Sequence, residues 1–507
     1  MKIKIFTPWL LLFPILSLLI VSCSSDEGAT PQTPEEPEQM EDPMDGNTMS
    51  NDMDNDGIND NEDVDDDGDG LIEIFSLEGL NAIRSELSAS GKQLLGLNAK
   101  MDFIGFELMQ DLDFDNPDDY EDPSLLPTYT SGLGWTPIGT TEFNENNTLS
   151  IENRFQAIFD GNGYTIRNLY INRPEEDYIG FFGACSDEAV IRNLNLEVKE
   201  ITGERILGGL VGLGRGFIEN VTVNGNIRST STGQAMMGLL VGRFEGGVIS
   251  NCSTFGSAEA PDAIMVGGLL GRLVIPEPNL NATILNCFSG ADVTGESRLG
   301  GLIGSFARED AVNAILTVEN SYASGNVIGE DDIGGLIGST LGSNISQCYA
   351  TGNVSNIGDS QFNGNSGGLL GFALGVNVTS CYASGEVTGN PIGDCMGGLV
   401  GYIHSTTITT SYSTGMVEGN PLQIGGLTGR CPAGSEPTIN NTNYWDTETS
   451  GLPVSRAEAQ GLTTAELQTP TSNTGIYATW DSAVWDFGTS SQYPVLKDMP
   501  NGIEVQR

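Results

Sequence analysis

The densest chemistry in this sequence is a run of carboxylates near its start, "DMDNDGINDNED", from Asp52 to Asp63. Its spacing is D-x-D-x-D-G-x-x-D-x-x-D. Aspartates two apart in a tight loop can converge on one ion, and the glycine permits the sharp turn. A hard divalent cation that takes about six to eight oxygens, Ca2+ above all, is what such a loop holds. A second unit overlaps the first, "DVDDDGDGLIE", Asp63 to Glu73. The candidate ligands are Asp52, Asp54, Asp56, Asp60, Asp63, Asp65, Asp67, Asp69 and Glu73. The bland reading of the same residues is a solvated acidic linker.

Other chemistry is sparse. The chain has one histidine, His404, with no nucleophile elbow near it, so a Ser-His-Asp or Cys-His arrangement has no base. HExxH and the phosphate-binding fingerprints are missing; "GLVGLGRG" (209–216) belongs to a repeat. Eight cysteines carry no CxxC spacing, which argues against zinc. Cys252, Cys287, Cys348 and Cys381 share one slot of the repeat, which predicts an inward ladder of buried thiols. Disulfides between neighbouring repeats are the alternative. The serious enzyme alternative is a β-helix polysaccharide lyase or glycoside hydrolase working through carboxylates. Glu330, Asp331, Asp332 and Asp394 lie at turns, where a solvated carboxylate is the simpler expectation. The expectation is a chain that is not an enzyme.

Charge sets the partners. With 21 basic and 68 acidic residues, the net charge is −47. Such a surface repels nucleic acid, because both are polyanions. It suits divalent cations, cationic partners or neutral glycans.

The elements around these residues follow in order. Lys2 and Lys4 precede an apolar run, Leu10–Val21, that ends in "IVSC" (Ile20–Cys23). This resembles the lipobox of bacterial lipoproteins. The resemblance implies a signal peptide over 1–22, acylation of Cys23, and an outer-membrane lipoprotein. The acidic residues soon after Cys23 resemble a surface-export signal of Gram-negative lipoproteins. Several acyl chains hold a protein firmly, whereas one holds it marginally. Residues 23–51 are Pro, Glu, Asp, Ser and Thr with almost nothing to bury, which predicts a disordered tether. The acidic segment over 52–75 is similar to thrombospondin type 3 repeats, and less closely to an EF-hand loop. "SLEGLNAIRSEL" (Ser76–Leu87) has a serine N-cap and apolar residues at 77, 80, 83 and 87, so a capping helix is expected within 76–99.

The rest is a repeat. "GGLVG" or a close variant starts at 208, 238, 267, 300, 334, 367, 397 and 425. Each copy is followed by a second element such as "VENSYASG" or "VTSCYASG", then by a third such as "NVIG" or "EVTG". These are three short β-prone runs separated by Gly, Asn, Asp and Ser. No unit can bury its apolar face alone, but stacked units can. The expected fold is all-β: a parallel β-helix, or β-solenoid, of about 30-residue coils over 100–445, roughly 55 Å long at about 4.8 Å per coil. An aromatic C-terminal cap over 446–507 is expected to cover the strand edges of the last coil. Three longer inserts, 274–282, 307–314 and 356–365, form a recognition face if they bulge on one side.

The pattern "GGLVG…NCY..G.V.G" resembles the GLUG-motif repeat of bacterial surface proteins. "GWTPIG" (134–139) and "FQAIFDGNGYTIRNLYI" (155–171) resemble the coils that open such arrays. "NYWDTETSG" (443–451) and "WDFGTSSQYPVLK" (485–497) resemble the segment that closes them. The resemblance implies a surface-anchored, adhesin-like binding or spacing scaffold, with glycan, matrix or another cell as ligand. A structural envelope component without a specific ligand is the further alternative.

Overall fold

The chain divides into two units, Met1–Ser50 and Asn51–Arg507. The computed structural model describes residues 64–507 apart from 86, 88–102, 143–149, 151, 279, 309–312, 360–363, 390–394, 431, 433–436, 471–474, 501–505 and 507. Among the described residues no helix is long and apolar enough to cross a membrane.

The repeat folds as coils of a parallel β-solenoid. One coil shows the plan: Ser343–Ser346, Tyr349–Ala350, Val354–Asn356, Asn365–Gly367 and Leu370–Leu374 are its strands. There are five pieces, not three, because the glycine-rich core and the second element are each two strands. The core turns a corner at its middle. Gly335 shows why: a Cβ there would meet the carbonyl oxygen of Gly368 at 2.1 Å and the Ala350 Cβ at 2.9 Å. Only glycine fits beneath the next coil at this corner.

A second corner follows the strand Ser343–Ser346 and its equivalents. Asn193, Asn220, Asn251, Asn286, Asn320, Gln347, Ser380 and Thr410 all have φ between 46° and 56°. This is the left-handed region, which asparagine tolerates better than other side chains. The turn swings the next residue inward. Cys252, Cys287, Cys348 and Cys381 stand there, buried and unbridged, as expected. Ser321 and Ser411 take the same place in neighbouring coils and are equally buried.

Register is kept along the whole stack. Ile72, Phe106, Phe159, Ile191, Ile218, Ile249, Ile284, Val318, Ile345, Val378, Ile408 and Ile439 pair one to the next in parallel. All twelve are buried, in one apolar core running from Ile72 to Trp445. Burying each such side chain stabilises by about 1.5–3 kcal/mol. Eleven steps at about 4.8 Å give roughly 53 Å.

The ends and inserts differ from expectation. The first rung is Leu71–Ile74, upstream of the helix, so the helix lies inside the first coil. That helix is short, Leu77–Ala82, capped by the Ser76 hydroxyl and continued by a 3-10 turn over Ile83–Ser85. Its Leu77, Leu80 and Ile83 are buried, so the spacing argument holds. The C-terminal aromatics split. Trp445 closes the end of the core, over Gly426, in the slot that alanine fills in earlier coils. Trp480, Trp485 and Phe487 instead pack on the flank, against a row of tyrosines. The three inserts do not share a side. Two lie between strands equivalent to Leu270–Ile275 and Ala282–Leu285, the third between Val354–Asn356 and Asn365–Gly367.

Candidate functional site

Of the predicted cation ligands, Asp52, Asp54, Asp56, Asp60 and Asp63 lie outside the described residues, as does Cys23. The structure brings Asp65, Asp67 and Asp69 together, with one carboxylate oxygen of each within 4.8 Å of the others. Gly68 and Gly70, at φ 74° and 88°, make the turn. The aspartates also hold that turn: Asp65 accepts from the Gly70 N–H at 3.0 Å and Asp69 from the Leu71 N–H at 2.8 Å.

Glu73 stands apart, on the first rung. Parallel pairing stacks it on Glu107, and Glu107 on Asp160. Burial pushes Glu73 up to about 8, with Asp66 and Glu107 adding to the effect. Burial raises Glu107 as well, and Asp69, Asp67 and Asp160 repel its charge. The row ends where Arg192 donates to Asp160 at 2.5 Å. The three converging carboxylates are oxygen donors of the kind a hard divalent cation takes, and the stacked Glu73 and Glu107 are not among them. Sequence reasoning missed Glu107 and Asp160, because their neighbours are a whole coil away. Aligning "IEI", "FEL" and "FD" as successive rungs was the signal that finds them.

A second carboxylate group sits at the corner next to a glycine-rich core. Asp331 and Asp332 adjoin Arg298, Asn365 and Ser339. The Asn365 amide donates to Asp332 at 2.8 Å. Burial and the Asp331 charge push Asp332 up to about 6, against the lowering effect of Asn365, Arg298 and Ser339. This is a carboxylate pair with a basic neighbour. Glu330 is exposed, and Asp394 lies outside the described residues. His404 ends the strand Val400–His404, where its Nδ1 meets the Ser405 hydroxyl at 3.0 Å.

Outward rows complete the surface. Thr283, Thr317, Asn344, Asn377, Thr407 and Thr438 follow one another in register on the outward face. Asn377 donates to Asn344 at 2.9 Å, and beside that row Thr409 bonds Thr379 at 3.1 Å. On another flank Phe288, Tyr322, Tyr349, Tyr382 and Tyr412 stack ring on ring, 4.6–5.1 Å apart and within 11° of parallel. The C-terminal cap closes over this ladder. Tyr382 donates to the Gln506 side chain at 3.0 Å and Tyr412 to the Pro494 carbonyl at 2.6 Å.

These coils define a parallel β-solenoid. The family model for the GLUG motif matches residues 331–355, the larger part of one coil, which contains Asp331, Asp332 and Tyr349. A Gly-rich membrane protein of Evansella cellulosilytica, so named provisionally, is 37% identical over 121 residues, 23% of this chain and 12% of that protein. Halomucin of Haloquadratum walsbyi is 30% identical over 122 residues, 24% of this chain and 1% of that protein. The chain thus spans only a small part of the curated relatives it matches. A Bacteroides ovatus crystal structure, provisionally named an immunoglobulin A1 protease, aligns over 84% of this chain and 92% of that one, at 17% identity and a TM-score of 0.36.

Proposed function

We propose that this chain is a surface-anchored lipoprotein, held by acyl chains on Cys23, whose solenoid is an adhesin-like scaffold that binds glycan or another cell surface. Ca2+ bound within 52–75 stiffens the segment leading into the first coil. The observation that carries the reading is the outward row of threonine and asparagine, Thr283 to Thr438. It repeats hydroxyls and amides every coil, about 4.8 Å apart. Side chains fixed in such a row lose little entropy when they bind, so weak contacts add up along an extended ligand. The −47 charge favours a neutral glycan over an acidic one.

The test is a glycan array probed with the full chain carrying Cys23→Ser, with and without millimolar Ca2+. Binding to a defined set of neutral glycans is expected, and calcium is expected to raise the thermal midpoint. An array blank under both conditions sinks the binding role and leaves a structural envelope component. A second reading rests on Asp331, Asp332 and Arg298. It makes the chain a β-helix lyase or hydrolase, and it predicts that a bound glycan is shortened during incubation, a shortening lost in Asp332→Asn.

A further inference from the structure

The aromatic ladder under the cap stops short of its own neighbours. Phe288 lies flat on Tyr322, with centroids 5.0 Å apart and planes 5° from parallel. In the preceding coil the residue paired with Phe288 is Ser253, and before that Thr222. The ladder therefore ends with one face of Phe288 turned toward a serine. Phe255, two-fifths exposed, meets the same ring edge-on at 5.2 Å and 76°.

An open cavity of about 360 Å³ lies against Phe288 and Ser253. Phe288, Ser253 and Cys252 line it, together with Asn251 and Asn286 of the coils and Asp498, Met499 and Pro500 of the cap. Its volume is in the range of small-molecule sites. Asn251, Ser253, Asn286 and Asp498 bring polar side chains to the same cavity as the ring. Asn286 donates to Asn251 at 3.1 Å, and both are held in the left-handed conformation at the coil corner. That bond uses the Asn286 amide nitrogen and the Asn251 oxygen, leaving the Asn251 nitrogen as donor and the Asn286 oxygen as acceptor. Asp498 is exposed and supplies a carboxylate.

We propose that this cavity is a monosaccharide subsite, in which one pyranose ring of a neutral glycan stacks on Phe288 and completes the ladder. A pyranose has the matching form: an apolar face of C–H bonds and a rim of hydroxyls. The face lies against the ring, whose negative quadrupole attracts C–H groups. The rim reaches Asn251, Asn286, Ser253 and Asp498, and a carboxylate can accept from two neighbouring hydroxyls at once. A flat aromatic ligand would fill the same space but make no use of those polar groups. The proposal rests on the glycan-binding reading above and gives it one address, at the seam between the coils and the cap.

The experiment uses saturation-transfer NMR on the full chain carrying Cys23→Ser, with the methyl glycosides of glucose, galactose and mannose as probes. Transfer to the ring C–H protons of at least one glycoside is expected. Ser253→Phe supplies the missing rung and fills the cavity, so it is expected to abolish transfer while leaving the thermal midpoint at or above that of the parent. Phe288→Leu keeps apolar bulk but removes the flat face, and at least a fivefold loss is expected. Binding that survives both substitutions overturns the subsite and leaves the scaffold reading standing. No transfer from any glycoside, with a positive polysaccharide array, also overturns the subsite alone. A blank array overturns both.

Discussion

At the scale of single residues, the stack imposes neighbours that the sequence never brings close. Asp332 is the clearest case. Arg298 lies in the coil before it, Asn365 in the coil after it, and Asp331 adjoins it in the chain. Its proton affinity is raised from 3.8 to about 6, first by burial and then by Asp331. A carboxyl whose folded value is raised favours the folded state while it stays protonated. That contribution is fully present below about pH 3.8 and is lost as pH rises through about 6. Asp332→Asn keeps an oxygen to accept from Asn365 but cannot ionise. Its thermal midpoint relative to the parent is therefore expected to rise between pH 4 and pH 6.5. A difference that stays constant across that window removes Asp332 as a source of pH sensitivity.

At the scale of elements, the motif letters become pairs of surfaces. The second glycine of each core lies against the small residue two places after the Cys or Ser slot: Gly301 with Ala323, Gly335 with Ala350, Gly368 with Ala383 and Gly398 with Ser413. A methyl at Gly335 would have to enter the space of the Gly368 carbonyl oxygen, 2.1 Å from where its carbon would lie. Gly335→Ala is expected to cost about 3 kcal/mol, the upper range for overpacking a tight interior. The midpoint in guanidinium chloride reads it, and an unchanged midpoint would show that the corner is looser than the structure has it. The period, the parallel stacking and the inward thiols were legible in the sequence because identical positions recur. The split of each core into two strands was not, since a five-residue glycine-rich run looks the same straight or bent. Nor was the cap's position. Trp480 and Trp485 announce burial but not against what, and tyrosines spaced about thirty residues apart show no local pattern that marks a docking face. The cation cluster was half legible: Asp65, Asp67 and Asp69 converge within one loop, whereas Glu107 and Asp160 join Glu73 only through register.

At the scale of the whole stack, stability is a sum over coils and the contacts between neighbours, so a coil is a removable part if the cut respects register. Ile337 and Leu370 are partners on adjacent rungs. Deleting 338–370 joins Ile337 to Gly371, the residue that follows its own equivalent, and every inward side chain keeps its column. Tyr322 then stacks on Tyr382 and Thr317 pairs with Asn377, while the cap keeps its hydrogen bonds to Tyr382 and Tyr412. This chain is expected to fold with one cooperative transition and a long dimension shorter by about 4.8 Å in solution scattering. Deleting only 338–355 removes about half a coil and sets strands against corners. Buried isoleucines then face water, left-handed positions fall on strand residues, and unpaired edges are exposed. That chain is expected to aggregate. Should the two deletions behave alike, in-register stacking of equivalent positions is not what holds the protein together, and the surface rows built on it lose their basis.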